Sequence, residues 1–248
     1  MSVIYIMWIR ELKRYVRSRA QVVASLGQPL LYLLALGYGL GPVFQRAGQG
    51  NYVQFIAPGV IAMAVLFSSI FAGMGLLWDR QFGFLKETLV APVPRVLIML
   101  GRTLGAASVA CIQGLLIATV CVIAGFRPAD WTRVPVACLF LALIATLFSA
   151  AGTAIGSAIE NIQGYQFIMG FLVMPIFFLS GALYPLTNLP PVMTAITRLD
   201  PLAYGVDALR STLIGRTTFP LTLDAAVLVV GAIVLLFVGS RLFSRIQV

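Results

Sequence analysis

Five stretches of this chain run for 21 residues or more without a charged side chain: 21–41, 55–78, 103–126, 134–159 and 161–184. A sixth, 222–240, carries one acid, Asp224. A helix needs about 20 mostly apolar residues to cross the hydrocarbon core of a bilayer. Lipid offers no partner to a backbone amide, so a spanning segment is a helix or a strand of a closed barrel. The runs are continuous rather than alternating, which selects helices. The sequence therefore reads as an all-α integral membrane protein with six transmembrane helices, at 21–41, 55–78, 97–124, 134–158, 162–184 and 222–240.

Only 10% of the 248 residues are charged, against about 25% in a soluble domain. The whole of 1–248 is thus expected to form one membrane domain. The net charge of +9 does not point to nucleic acid, because the basic residues gather at span ends, as orientation in a membrane requires. The chain has no histidine. Cys111, Cys121 and Cys138 all fall within predicted spans, with neither metal nor disulfide spacing. Neither a Ser-His nor a Cys-His pair exists to support catalysis, so an enzyme is not expected.

The positive-inside rule orients the chain. The head, the loop after the second span and the tail hold eleven of the 17 basic residues, and the opposite side holds six. Both termini are expected in the cytoplasm, and six crossings agree with that parity. Residues 1–19 read as an amphipathic interfacial helix. Ile4, Trp8, Leu12 and Tyr15 form one stripe, with Arg10, Lys13, Arg14 and Arg17 roughly opposite. Such a helix sinks its apolar stripe into the headgroup boundary and holds its cations at anionic lipid. A contact with a cytoplasmic partner is compatible with that placement.

The first cytoplasmic loop, 79–95, is too polar to span. Phe82, Leu85 and Leu89 are spaced for one helical face, and Pro92 and Pro94 then stop the helix. A short helix held between two spans can carry a push from a soluble motor into both. Another irregular segment, 186–216, has apolar helical spacing broken by Pro190, Pro191, Asp200 and Pro201. It reads as a re-entrant helical hairpin before the last span, covering an outward exit. Leu183, Tyr184, Tyr204, Asp207 and Arg210 are its candidate gate residues, with Asp207 and Arg210 spaced to pair.

Within the spans, Phe67 and Phe71 stand one turn apart, as do Phe167 and Phe171. Together with Gln113 and the mid-span Pro175 they form a candidate path for a lipophilic solute. Gly37 and Gly41, Gly101 and Gly105, and Gly152 and Gly156 have the small-xxx-small spacing of close helix contacts. A phosphate-binding loop needs Gly-x-x-x-x-Gly-Lys-Ser/Thr. The only lysines are Lys13 and Lys86, and neither follows a glycine. Nucleotide energy would have to come from another polypeptide.

These features resemble the type-2 ABC exporter permeases, the branch with drug-resistance, nodulation-factor and polysaccharide-export permeases. The matching segments are YVQFIAPGVIAMAVL (52–66), LKETLVAPVPR (85–95) and LSGALYPLTNLPPVMTAITRLDPLAYGVDALR (179–210). The resemblance implies a homodimer, or a dimer of paired permeases, joined to two ATP-binding cassette subunits, which bind Mg-ATP, so that this chain carries no cofactor of its own. It implies that Phe82, Leu85, Glu87, Thr88 and Arg95 form a cytoplasmic coupling helix against the cassette, and that Arg10 and Arg14 touch it too. It implies export of a drug, lipid or lipid-linked glycan across the bacterial inner membrane, with membrane lipids as neighbours and no nucleic acid. An ion-coupled carrier and a non-transporting assembly subunit are the alternatives.

Overall fold

The computed structural model describes residues 3–46, 51–85, 93–186 and 190–244, apart from the side chains of 19–21 and 24. The described residues are helical, without strands. The order is α1 (Val3–Arg17), α2 (Arg19–Gly39), α3 (Gly41–Arg46), α4 (Tyr52–Gln81), α5 (Arg95–Ile123), a 3-10 turn (Trp131–Arg133), α6 (Val134–Ala158), α7 (Ile162–Leu179), α8 (Pro191–Leu199), α9 (Pro201–Ile214) and α10 (Leu221–Ser244). Among the described residues five helices are long and apolar enough to cross a membrane: α4, α5, α6 with its preceding turn, α7 and α10. Helix α2 occupies the place of the first predicted span.

Helix α4 is the axis of the bundle. Between Tyr52 and Leu66 only Gln54 escapes burial. Around it pack α2, α5, α6, α7 and α9, while α10 lies against α6 and α1 against α5. A bilayer supplies no hydrophobic drive between spans, so close approach depends on small residues. Glycines mark two close seams. A side chain at Gly152 would meet the Ile70 carbonyl oxygen 2.8 Å away, and one at Gly156 would meet that of Gly73 at 2.7 Å, which seats α6 on α4. The Tyr165 hydroxyl fills the same seam and donates to the Ile70 carbonyl at 2.5 Å. Gly101 and Gly105 seat α1 on α5: added side chains would lie 2.7 Å from Met7 Cβ and 2.7 Å from Glu11 Cβ. The third pair differs. Gly41 has open space around it, and Gly37 only grazes Val53.

Three expectations are corrected. The apolar stripe of α1 does not turn to lipid. Trp8 donates to Ser108 Oγ on α5 at 2.9 Å, Tyr15 is buried, and Ile4 backs onto Gly101. The glycine seam on α5 outcompetes the headgroup boundary for that face. The coupling helix does not begin at 79, because α4 runs on through Gln81 and turns at Gly83, with φ at +81°. Phe82 therefore caps α4 and is exposed, whereas Leu85 is fully buried, so the two do not share a face. The helix predicted over 162–184 stops at Leu179, where Ser180 caps it and Gly181 takes a left-handed φ of +73°.

The predicted hairpin contains two short helices, α8 and α9, parted by Asp200. Pro201 starts α9, the Asp200 carboxylate accepts from the Leu202 amide at 2.8 Å, and Gly215 ends it in the left-handed conformation. Every residue from Leu202 to Arg210 is buried, against α4, α6 and α10.

Leucine at Gly105 would wedge α1 off α5 and is expected to cost about 1–3 kcal/mol through overpacking. The thermal midpoint in detergent should fall for Gly105→Leu. Gly170→Leu, in open space on α7, should leave it unchanged.

Candidate functional site

At the end of the bundle that holds α1, five charges from three helices meet. Asp79 in the last turn of α4 accepts from Arg10 of α1 and, at 2.6 Å, from Arg102 of α5. Arg102 also faces Glu11 of α1 at 3.8 Å. Arg14 lies 3.6 Å from Glu11 and 3.8 Å from Asp79. Arg102 is 4% exposed and Asp79 8%, so neither could stand here alone: an unpaired charge in an apolar interior is strongly unfavourable. Three guanidiniums face two carboxylates, which leaves one positive charge in excess. Arg14 is the most loosely held of the three.

Arg10 and Arg14, expected at a partner's surface, also reach Asp79, while their side chains stay 34% and 41% exposed. The sequence reading passed over Asp79, Glu11 and Arg102 as loop and span-end charges. Arg102 could have been singled out, as an arginine at the sixth position of the predicted span 97–124. Its partner on α1 could not, because 91 positions separate it from Glu11.

This cluster abuts the loop that follows α4. Leu85 and Val93, on either side of 86–92, join a small apolar cluster with Leu76, Ile98, Met99 and Phe243. Arg95 donates to the Ser244 carbonyl at 2.9 Å, tying the start of α5 to the end of α10. Glu87 and Thr88 lie outside the described residues.

Beside the cluster a cavity of about 410 Å³ opens between α1, α2, α4 and α5. Phe67, Phe71 and Gln113 of the predicted path all line it, together with Glu11, Arg14 and Tyr15. Gln113 donates to Ser25 Oγ across the cavity wall at 2.5 Å. The other half of the predicted path is elsewhere. Tyr165, Met169, Val173 and Phe177 form the buried face of α7, so Phe167, Phe171 and Pro175 point outward, with Phe171 85% exposed.

At the opposite end the predicted gate residues do converge, though not as paired charges. The buried Arg210 donates to the Gly181 carbonyl at 3.0 Å and lies 4.1 Å over the Phe55 ring. Tyr52 donates to the Leu183 carbonyl at 2.9 Å. The turn after α7 is thereby held by both α4 and α9, and Tyr184 follows it half-buried. Asp207 does not pair with Arg210. Its carboxylate accepts from the amides of Thr218 at 2.9 Å and Phe219 at 2.8 Å, because the break between α9 and α10 leaves those donors free. Tyr204 packs its ring at a tilt against Phe219 and donates to the Arg198 carbonyl. A second cavity of about 310 Å³, lined by Gln54, Phe55, Arg127 and Arg216, opens alongside.

Residues 2–214 match the ABC-2 type transporter family. The chain is 28% identical over 241 residues to the inner membrane transport permease YadH of Escherichia coli K12, covering 96% of this chain and 93% of that one. It is 27% identical over 230 residues to nodulation protein J of Rhizobium leguminosarum bv. trifolii, covering 91% and 86%. Against nodulation protein J of Bradyrhizobium diazoefficiens it is 28% identical over 230 residues. With its family match and its apolar helices, this chain belongs to the ABC-2 type transporters, as a membrane-embedded permease component.

Proposed function

We propose that this chain is the gate of an ATP-driven exporter in the bacterial inner membrane, moving a lipophilic or amphiphilic molecule outward. A separate cassette ATPase supplies the energy. Helix α2 makes the sixth crossing, since its 21 residues match the length a bilayer demands, and both termini then lie in the cytoplasm. Two copies meet about a two-fold axis and engage two cassette subunits. The outward aromatic face of α7, with Phe167 and Phe171, lines the path between them.

The observation that carries this reading is the cluster at Asp79. The cassette seats on the loop after α4, with Glu87 and Thr88 at its centre and Phe82 and Arg95 at its margins. A push there meets the end of α4, where Asp79 grips α1 through Arg10 and Arg14 and α5 through Arg102. Buried Leu85 carries the same displacement into α10 through Phe243. Charge networks and packed cores switch between discrete arrangements rather than deforming smoothly. At the outer end, α8 and α9 form the re-entrant lid. Release of the Gly181 and Leu183 carbonyls from Arg210 and Tyr52 frees the turn they hold, and the exit opens.

One observation favours a carrier that works alone. Asp224, in the first turn of α10, is fully buried, and neither carboxylate oxygen has a hydrogen-bond partner. An intramembrane acid of this kind is a natural proton carrier. Uptake into vesicles driven by a proton gradient, with no cassette protein present, would establish that reading.

In vesicles containing the permease and its cassette subunit, Glu87→Ala and Arg10→Gln should each leave basal ATP hydrolysis within about twofold of normal. Each should lower substrate export by about tenfold, the size of a coupling energy near 1.4 kcal/mol. Unchanged export by both variants would remove the coupling role. Disruption of the outer clamp should act differently. Tyr52→Phe removes one hydrogen bond, worth about 1 kcal/mol, and should raise substrate leakage without ATP, measured as efflux from preloaded vesicles.

A further inference from the structure

The cavity beside the charged cluster carries a statement about the cargo itself. Its size falls within the roughly 300–1,000 Å³ typical of small-molecule sites. Its walls are divided. Helix α1 contributes Glu11, Arg14 and Tyr15, while Phe67, Phe71 and Trp78 of α4 supply aromatic surface. Phe71 and Trp78 are 48% and 43% exposed, so the cavity is open on that side.

Two features of the polar wall ask for an anion. The first is the surplus charge. Glu11 and Asp79 are shared among three arginines, and Arg14, at 3.6 and 3.8 Å, lacks the close contact that Arg10 and Arg102 each make with Asp79. A single negative group would bring the cluster to neutrality and give Arg14 a charge-assisted hydrogen bond, about twice as strong as a neutral one. The second is an orphaned donor. The Tyr15 hydroxyl is buried, with the residue 6% exposed; its neighbour is the Gln113 side chain, with which it makes no well-aligned hydrogen bond. The nearby Gln113 amide is turned to Ser25. Buried hydroxyls seldom remain unpaired without reason.

We propose that this cavity binds an amphiphile with a single negative charge. Its headgroup is held by Arg14 and the Tyr15 hydroxyl, and its chain lies along Phe67, Phe71 and Trp78. The site deepens the transport reading by naming the charge of the cargo, and it rests on that reading for the direction of travel. A carboxylate or a phosphate monoanion would meet the same chemistry, whether it arrives as cargo or as a bilayer lipid.

The test uses the full chain alone, purified in an uncharged detergent, so that it can fail while ATP-coupled export stands, or the reverse. Binding of hexadecanoate is compared with that of hexadecanol and hexadecyltrimethylammonium. Hexadecanoate should bind about tenfold more tightly than the other two, a gap of about 1.4 kcal/mol. Arg14→Gln should erase that preference and spare hexadecanol binding, whereas Arg80→Gln, in the exposed pair with Glu160, should leave the preference intact. Hexadecanoate brominated along its chain should quench tryptophan fluorescence, and Trp78→Phe should abolish most of the quenching. Equal affinity for the three headgroups, preference for the cation, or a preference that survives Arg14→Gln would overturn the proposal. Should Arg14→Gln fail to fold, Ser68→Phe, which fills the cavity, must weaken hexadecanoate binding and quenching, and normal binding by that variant overturns the proposal equally. Phosphatidylglycerol added as competitor separates the sources. Full displacement assigns the cavity to a bilayer lipid, and persistence of hexadecanoate assigns it to a single-chain cargo.

Discussion

The contact on which the rest of the arrangement depends is that of Arg102 with Asp79, 2.6 Å apart and almost wholly out of water. Loss of either side chain would strip the other of its closest partner in a nearly dry site, a change that costs about 3–5 kcal/mol for a buried pair. The pair fixes the register of α5 against the last turn of α4. Arg10, Arg14 and Glu11 extend it onto α1, so a helix that by composition belongs on the membrane surface becomes part of the bundle. The glycines at 101 and 105 make this geometrically feasible, because they let the α1 backbone approach closely enough for its charges to reach Asp79.

The sequence made the apolar runs legible because lipid imposes a single solution on each of them. It also marked three glycine pairs as candidate packing residues, but not which of them pack or against what. Gly101 and Gly105 meet α1, Gly152 and Gly156 meet α4, and Gly41 meets nothing; spacing alone is identical in all three pairs. Helical phase set another limit. Phe67 and Phe71 face a cavity, while Phe167 and Phe171, with the same four-residue spacing, face outward. Phase relative to a neighbour is a tertiary property, and no count along one helix contains it.

Charge partners were harder still. Asp207 and Arg210 sit three apart on α9, a spacing that stabilises an isolated helix in water by a few tenths of a kcal/mol. That small preference is overruled here. The chain leaving α9 presents the free amides of Thr218 and Phe219 to Asp207, and the left-handed turn at Gly181 presents a carbonyl to Arg210. Inside a low-dielectric bundle an unsatisfied backbone group is worth more than an exposed ion pair. Both side chains therefore serve the breaks in the helices. Prediction from the sequence would have required knowing where those breaks meet in space.

The same logic connects the two candidate working parts at the other end. Glu11 and Arg14 belong both to the charged cluster and to the wall of the larger cavity. A ligand that draws Arg14 toward itself weakens that residue's hold on Asp79 and so alters the last turn of α4, where the loop to the motor begins. Linkage makes the effect reciprocal: any free energy that occupancy of the cavity imposes on the loop, a protein bound at the loop imposes on the cavity. On the proposed reading, cargo and motor would meet at Arg14 and Asp79 and need not communicate across the whole membrane.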